Sequence, residues 1–85
     1  IVLRLFGGVL MYKDKITFSG VDDVKNFSLL ANKYEGTINL ISDSRKINAK
    51  SVMSIFTLDF SKPIDVEVSG SFTDSLIRAI KRYKA

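Results

Sequence analysis

The sequence predicts an α+β fold, an open-faced β-sandwich whose antiparallel sheet carries its helices on one face. Three observations lead there. Residues 64–69 alternate Ile64, Val66 and Val68 with Asp65, Glu67 and Ser69, the period of a half-buried strand. Residues 23–34 place Val24, Phe27, Leu30, Ala31 and Tyr34 at helical spacing instead. Signals of these two kinds follow one another in the order βαββαβα within 85 residues, enough for one small core over residues 1–85.

The elements follow in order along the chain. Residues 9–19 alternate loosely and end in Ile16-Thr17-Phe18, a strand composition, and Gly7-Gly8 can turn a hairpin that pairs residues 1–6 with them. Gly20-Val21 breaks the strand, Asp22 or Asp23 can cap the first helix, and Gly36 suits the left-handed position after its end. Thr37-Ile38-Asn39-Leu40-Ile41-Ser42 is the clearest strand, with Asp43-Ser44-Arg45 as a tight turn into a short return, Lys46-Ile47-Asn48. Ser51 can cap a short helix carrying Val52, Ile55, Phe56 and Leu58, a bond worth ~1 kcal/mol. Ser61-Lys62-Pro63 holds the only proline and reads as a loop. Ser71 and Asp74 read as a capping box before a last helix that turns Phe72, Leu76, Ile77, Ile80 and Tyr83 inward.

Composition narrows function mainly by exclusion. The chain has neither cysteine nor histidine, which rules out a disulfide framework, an ordinary zinc site and imidazole acid–base catalysis, and favours a reducing, cytoplasmic compartment. Net charge is +4, yet Arg78, Lys81, Arg82 and Lys84 crowd the last eight residues while the rest balances nine basic side chains against nine acidic ones. Cations at the end of a terminal helix are what its dipole favours, and no basic stripe interleaved with aromatics points to nucleic acid. No stretch reaches the ~18 apolar residues of a membrane span. Residues 1–10 are apolar but interrupted by Arg4 and Gly7-Gly8, and they precede Met11. An added leader, a misassigned start and a piece of something longer all stay open for them.

One segment carries more. The element order together with Asn48-Ala49-Lys50-Ser51-Val52-Met53 resembles HPr, the small phosphocarrier of the sugar phosphotransferase system. The resemblance runs from about Ile16 to Tyr83, through Phe27 and Ala31, Ile38 and Leu40, and Ile64 to Gly70; its specific part surrounds Ser51. It implies an HPr-like open-faced sandwich. In that family a Gly-Leu-His-Ala-Arg-Pro loop leads into the first helix, its histidine relays phosphate from enzyme I to transporter components, and the arginine steadies the charge. Here the matching stretch is Ser19-Gly20-Val21-Asp22-Asp23-Val24-Lys25, without His, Arg or Pro. Gly20, Val21, Asp22 and Asp23 thus form a degenerate active-site loop whose two carboxylates oppose an incoming phosphoryl group.

Ser51 matches the serine that an ATP-dependent HPr kinase phosphorylates in many Gram-positive members, whose phosphorylated form binds a transcriptional regulator. Lys50 stands beside it, and Val52, Met53 and Phe56 match the apolar patch through which the family docks on partners. Asp59 stands where the family commonly has Gly, in a turn that Asp tolerates. The resemblance therefore implies a regulatory or binding relative, no enzyme, with protein partners and no cofactor or metal. The alternative is a structural or interaction module of the same fold, a domain of a larger protein or a homodimer through the N-terminal strand. A small enzyme is the weakest reading, because no spaced carboxylate pair makes a catalytic constellation.

Overall fold

The computed structural model describes residues 2–6, 9–70 and 72–85. Among the described residues, five strands and three helices follow one another: β1 Val2–Phe6, β2 Val9–Ile16, α1 Val21–Lys33, β3 Thr37–Ser42, β4 Arg45–Asn48, α2 Val52–Ile55, β5 Ile64–Ser69 and α3 Asp74–Lys81. The βαββαβα order holds from β2 onward, with β1 as an additional strand in front. All pairings are antiparallel and the sheet runs β1-β2-β5-β3-β4, so the hairpin expected of residues 1–6 is present. Its turn, Gly7-Gly8, lies outside the described residues. No helix among the described residues is long and apolar enough to cross a membrane.

Alternation decides which sheet face is covered. Tyr12 and Ile16, Ile38 and Leu40, and Ile64, Val66 and Val68 are buried against Val24, Phe27 and Ala31 of α1, Ile55 of α2, and Leu76 and Ile80 of α3. The open face is polar. Glu67 lies between Lys13 and Lys46, 3.3 Å from each ammonium, with 15% of its side chain exposed. Burial pushes its carboxyl upward, but the two ammonium groups outweigh that and hold it below the usual glutamate range.

β2 ends at Ile16 and not at Ser19, because the next groups have other partners. The Thr17 N–H donates to the Tyr83 carbonyl at 2.8 Å, and Phe18 turns into an aromatic cluster with Phe27, Phe60 and Tyr83, ring centroids 5.4–5.8 Å away. The β3–β4 turn has both Asp43 and Ser44 at positive φ, 50° and 66°, the type I′ geometry that matches strand twist.

Three local expectations are corrected. Helix α1 closes on Tyr34 in an extended conformation, so Gly36 is not a left-handed cap. Its role is room: a Cβ there would collide with the Ser69 carbonyl and the ring of Tyr34, whose hydroxyl donates to that carbonyl at 2.9 Å. The cap of α3 is Thr73, whose oxygen accepts from the Leu76 N–H at 3.2 Å; Ser71 lies outside the described residues. Asp59 does not enter the left-handed region, and its carboxylate instead accepts from the Ser61 N–H and hydroxyl at 2.9 and 2.6 Å.

Candidate functional site

The stretch Gly20 to Asp23, expected from the resemblance to be a degenerate loop, is built by the end of β2 and the first turn of α1. Gly20 occupies the N-cap position in fully extended backbone, and no side chain caps the helix there. Neither aspartate caps α1, contrary to expectation. Asp23 reaches back one residue too far, accepting from the Ser19 N–H at 2.8 Å and the Ser19 hydroxyl at 2.7 Å. The Ser19 N–H, and after it the hydroxyl, hold the Asp23 carboxyl below the usual aspartate range. Asp22 is exposed in the same turn and favours the positive helix end. A groove of about 390 Å³ opens beside them, lined by Thr17, Ser19, Asp23, Arg82, Tyr83 and Lys84. The turn therefore offers one carboxylate already committed and one solvated, with no imidazole anywhere in the sequence.

The Ser51 segment is held from three sides. Ala49 is fully buried and its N–H donates to the Ile38 carbonyl of β3 at 2.9 Å. The Asn48 side chain accepts from the Lys50 N–H at 2.9 Å, and the Asn48 carbonyl accepts from the Ser51 N–H at 3.0 Å. From α1, the Ser28 hydroxyl and the Asn32 amide both donate to the Lys50 carbonyl, at 3.3 and 3.1 Å. Lys50 is half-buried, and Ser51 emerges exposed at the N-cap of α2.

Ser51 is not a side-chain cap. With φ −94° and ψ 97° its backbone has a capping conformation, yet its oxygen accepts from no helix N–H. It pairs instead with the Ser54 hydroxyl at 3.0 Å. A second hydroxyl one turn on, that of Ser54, competes with the helix N–H groups for the same oxygen.

Of the predicted docking residues, Met53 is 74% exposed, Phe56 38%, and Val52 is half-buried against the core. Two more apolar side chains on α1 are exposed: Leu29, at 60%, which sequence reasoning missed, and Val21, at 55%, which it placed in the degenerate loop and not among the docking residues. Their signal was the i, i+4 row Val21–Lys25–Leu29, offset from the buried row Val24–Phe27–Ala31. That row adjoins Ser28 and Asn32, which bind Lys50, and α1 packs beside α2. The two predicted segments are nonetheless separate. Ser28 lies eight residues, about 12 Å of helix, beyond Gly20.

No protein-family model and no curated protein matches the sequence. Solved structures do. The chain is similar to a phosphocarrier protein HPr from Bacillus anthracis str. Ames with a TM-score of 0.71 and 19% identity, over 93% of this chain and 100% of that one. It is similar to HPr-C-His from Thermoanaerobacter tengcongensis, TM-score 0.65 and 26% identity, over 85% and 86% of the two chains. A histidine-containing phosphocarrier protein, from work on the divergence of Mycoplasma from Gram-positive bacteria, gives a TM-score of 0.65 and 21% identity over 86% and 89%.

Proposed function

Taking the chain as HPr-like, we propose that it is a regulatory or binding relative of the sugar phosphotransferase phosphocarriers, carrying no phosphoryl group on histidine and switched at Ser51. The observation that carries this reading is the pairing of an exposed Ser51 hydroxyl, on a segment pinned to β3 and α1, with a first turn of α1 that holds no imidazole, one carboxylate bound to Ser19 and one solvated. A phosphoryl group placed there adds about two negative charges to a surface beside Lys50 and the exposed Met53, which changes what that surface accepts. The partners are proteins, namely HPr kinase, a transcriptional regulator or phosphotransferase components, docking on Met53, Phe56, Val52 and Lys50. On this reading the chain is a single cytoplasmic domain, not an enzyme, and does not bind nucleic acid.

Intact mass after two parallel incubations tests it, one with enzyme I and phosphoenolpyruvate, the other with HPr kinase and ATP. One phosphate added by the kinase alone, and lost in Ser51→Ala, is the expected result. Phosphate from enzyme I, or none in either tube, overturns it.

One observation favours the second reading, an interaction module that forms a homodimer. The two sheet edges differ: β4 carries Arg45 and Lys46, which blunt edge pairing, whereas β1 reads Val-Leu-Arg-Leu-Phe without proline. Sedimentation equilibrium checks it. A dimer at micromolar concentration that is lost when residues 1–8 are removed supports β1 pairing with a second copy; a monomer at every concentration sinks it.

A further inference from the structure

The hydroxyl that meets Ser51 belongs to a chain of polar contacts that begins on another element. Arg45, the first residue of β4, donates from its two terminal nitrogens to the Thr57 carbonyl at 3.2 Å and the Thr57 hydroxyl oxygen at 2.9 Å. The Thr57 hydroxyl in turn donates to the Ser54 carbonyl at 2.6 Å. Ser54, half-buried, then meets Ser51 oxygen to oxygen at 3.0 Å. The guanidinium uses its fork on both polar groups of one threonine, so the far end of α2 is tied to the β3–β4 hairpin. Ser54 is thereby fixed by backbone on one side while its own hydroxyl remains free to rotate.

We propose that Ser54 is a positioning residue for phosphoryl transfer to Ser51, accepting the Ser51 proton's hydrogen bond before transfer and donating to the phosphoryl oxygens after it. This rests on the reading of Ser51 as the phosphate acceptor. A hydroxyl can fill both roles because it carries one donor and two acceptor lone pairs. Before transfer, Ser51 donates to Ser54, which leaves the lone pairs of the Ser51 oxygen facing solvent and the incoming nucleotide. In the step itself the Ser51 oxygen bonds to the γ-phosphorus of ATP and the bond to the departing ADP breaks. As that bond forms, the Ser51 proton gives up its hydrogen bond to Ser54 and passes to a base of the kinase. Ser51 then has no proton to donate, and the Ser54 hydroxyl rotates to give its own to the dianion, a charge-assisted bond stronger than the one it replaces. No carboxylate occurs among residues 48–54 to oppose that charge.

The test separates the two claims. Phosphoserine is installed at position 51 by genetic encoding, so that no kinase is needed, and the phosphate is titrated by phosphorus NMR in the parent, Ser54→Ala and Ser54→Thr proteins. Donation from Ser54 stabilises the dianion, so Ser54→Ala raises the second phosphate pKa by roughly half a unit and Ser54→Thr restores it. Urea unfolding of the unphosphorylated variants confirms an intact fold. With HPr kinase and ATP, Ser54→Ala lowers kcat/KM by about fivefold, the worth of one neutral hydrogen bond. An unchanged phosphate pKa in Ser54→Ala overturns the role of Ser54, whatever the kinase does. A shifted pKa with no kinase reaction overturns the reading of Ser51 as a kinase acceptor and leaves the geometry of Ser54 standing.

Discussion

The first turn of α1 and the start of α2 begin from similar materials, a short polar segment leading into a helix, and end as opposites. At α1 the charged side chain is spent locally: Asp23 takes both donors of Ser19, and the cap position holds a glycine with no side chain to offer. At α2 the backbone is what is spent. The amides of residues 49–51 and the carbonyls of Asn48 and Lys50 are tied up among β3, Asn48 and α1, and the Ser51 hydroxyl is left outside. The second region leaves an exposed hydroxyl on a pinned backbone, whereas in the first the Ser19 hydroxyl is bound to Asp23.

The widest separation between the two regions is in covalent chemistry. Ser51→Ala abolishes phosphate addition by HPr kinase, whereas a protein carrying Asp22→Asn and Asp23→Asn together is phosphorylated as the parent is. Peptide mapping by mass spectrometry reads both. Addition that survives Ser51→Ala would break the comparison at its root, since the exposed hydroxyl would then not be the acceptor.

Packing gives the next contrast. Ala49 is fully buried immediately before Lys50, so Ala49→Leu forces extra methylenes into a filled space and costs about 1–3 kcal/mol. Gly20 has nothing within 4 Å of where a Cβ would stand, and its φ of 174° is open to any residue. Gly20→Ala therefore changes stability by no more than about 0.5 kcal/mol. Urea midpoints for the pair measure how much more tightly the Ser51 segment is built. Equal losses would mean that α2 owes nothing to Ala49.

Much of the fold was legible because it rests on repetition. Ile64, Val66 and Val68, or Val24, Phe27 and Ala31, each bury an apolar side chain on the same face, and the burial terms add over several residues. The hairpin of β1 with β2 and the tight turn at Asp43-Ser44 were legible from glycine and turn chemistry. The Ser51 segment was found through one matching hexapeptide. What the sequence hid are choices between single hydrogen bonds of nearly equal worth. Asp23 can cap α1 or reach Ser19, and Ser51 can cap α2 or meet Ser54; such alternatives differ by about 1 kcal/mol and leave no periodic trace. Gly36 misled for a related reason. A glycine after a helix fits a left-handed turn and a close contact equally well, and only the Tyr34 ring over Ser69 decides between them.

Acid separates the regions more gently. The Asp23 carboxyl titrates lower in the folded chain than in the unfolded one, so its contribution is fully present above the ordinary aspartate range and is lost as pH falls through the folded value. From about pH 4 downward, the unfolded state binds the proton first and the first turn of α1 loosens. Residues 48–54 contain no carboxylate and have no such response of their own. Amide exchange followed by NMR between pH 5 and 3 shows faster opening at residues 19–24 than at 49–55. Asp23→Asn flattens that dependence, and parallel loss of protection in both segments would show that the turn opens only with the whole fold.

The smallest effect is the most diagnostic of how α2 begins. A serine that caps a helix through its oxygen is worth about 1 kcal/mol when replaced by alanine. The Ser51 oxygen accepts from no helix N–H and loses only an exposed hydroxyl–hydroxyl contact at 3.0 Å, so Ser51→Ala costs a few tenths of a kcal/mol. Thr73→Ala supplies the internal standard, because Thr73 makes the capping bond that Ser51 lacks, accepting from the Leu76 N–H. It costs the full amount of about 1 kcal/mol. Paired urea titrations of the two alanine variants settle the matter by difference. If Ser51→Ala proves as costly as Thr73→Ala, the Ser51 oxygen spends its time on the helix end in solution, and the hydroxyl that the kinase is meant to reach is no longer the free one.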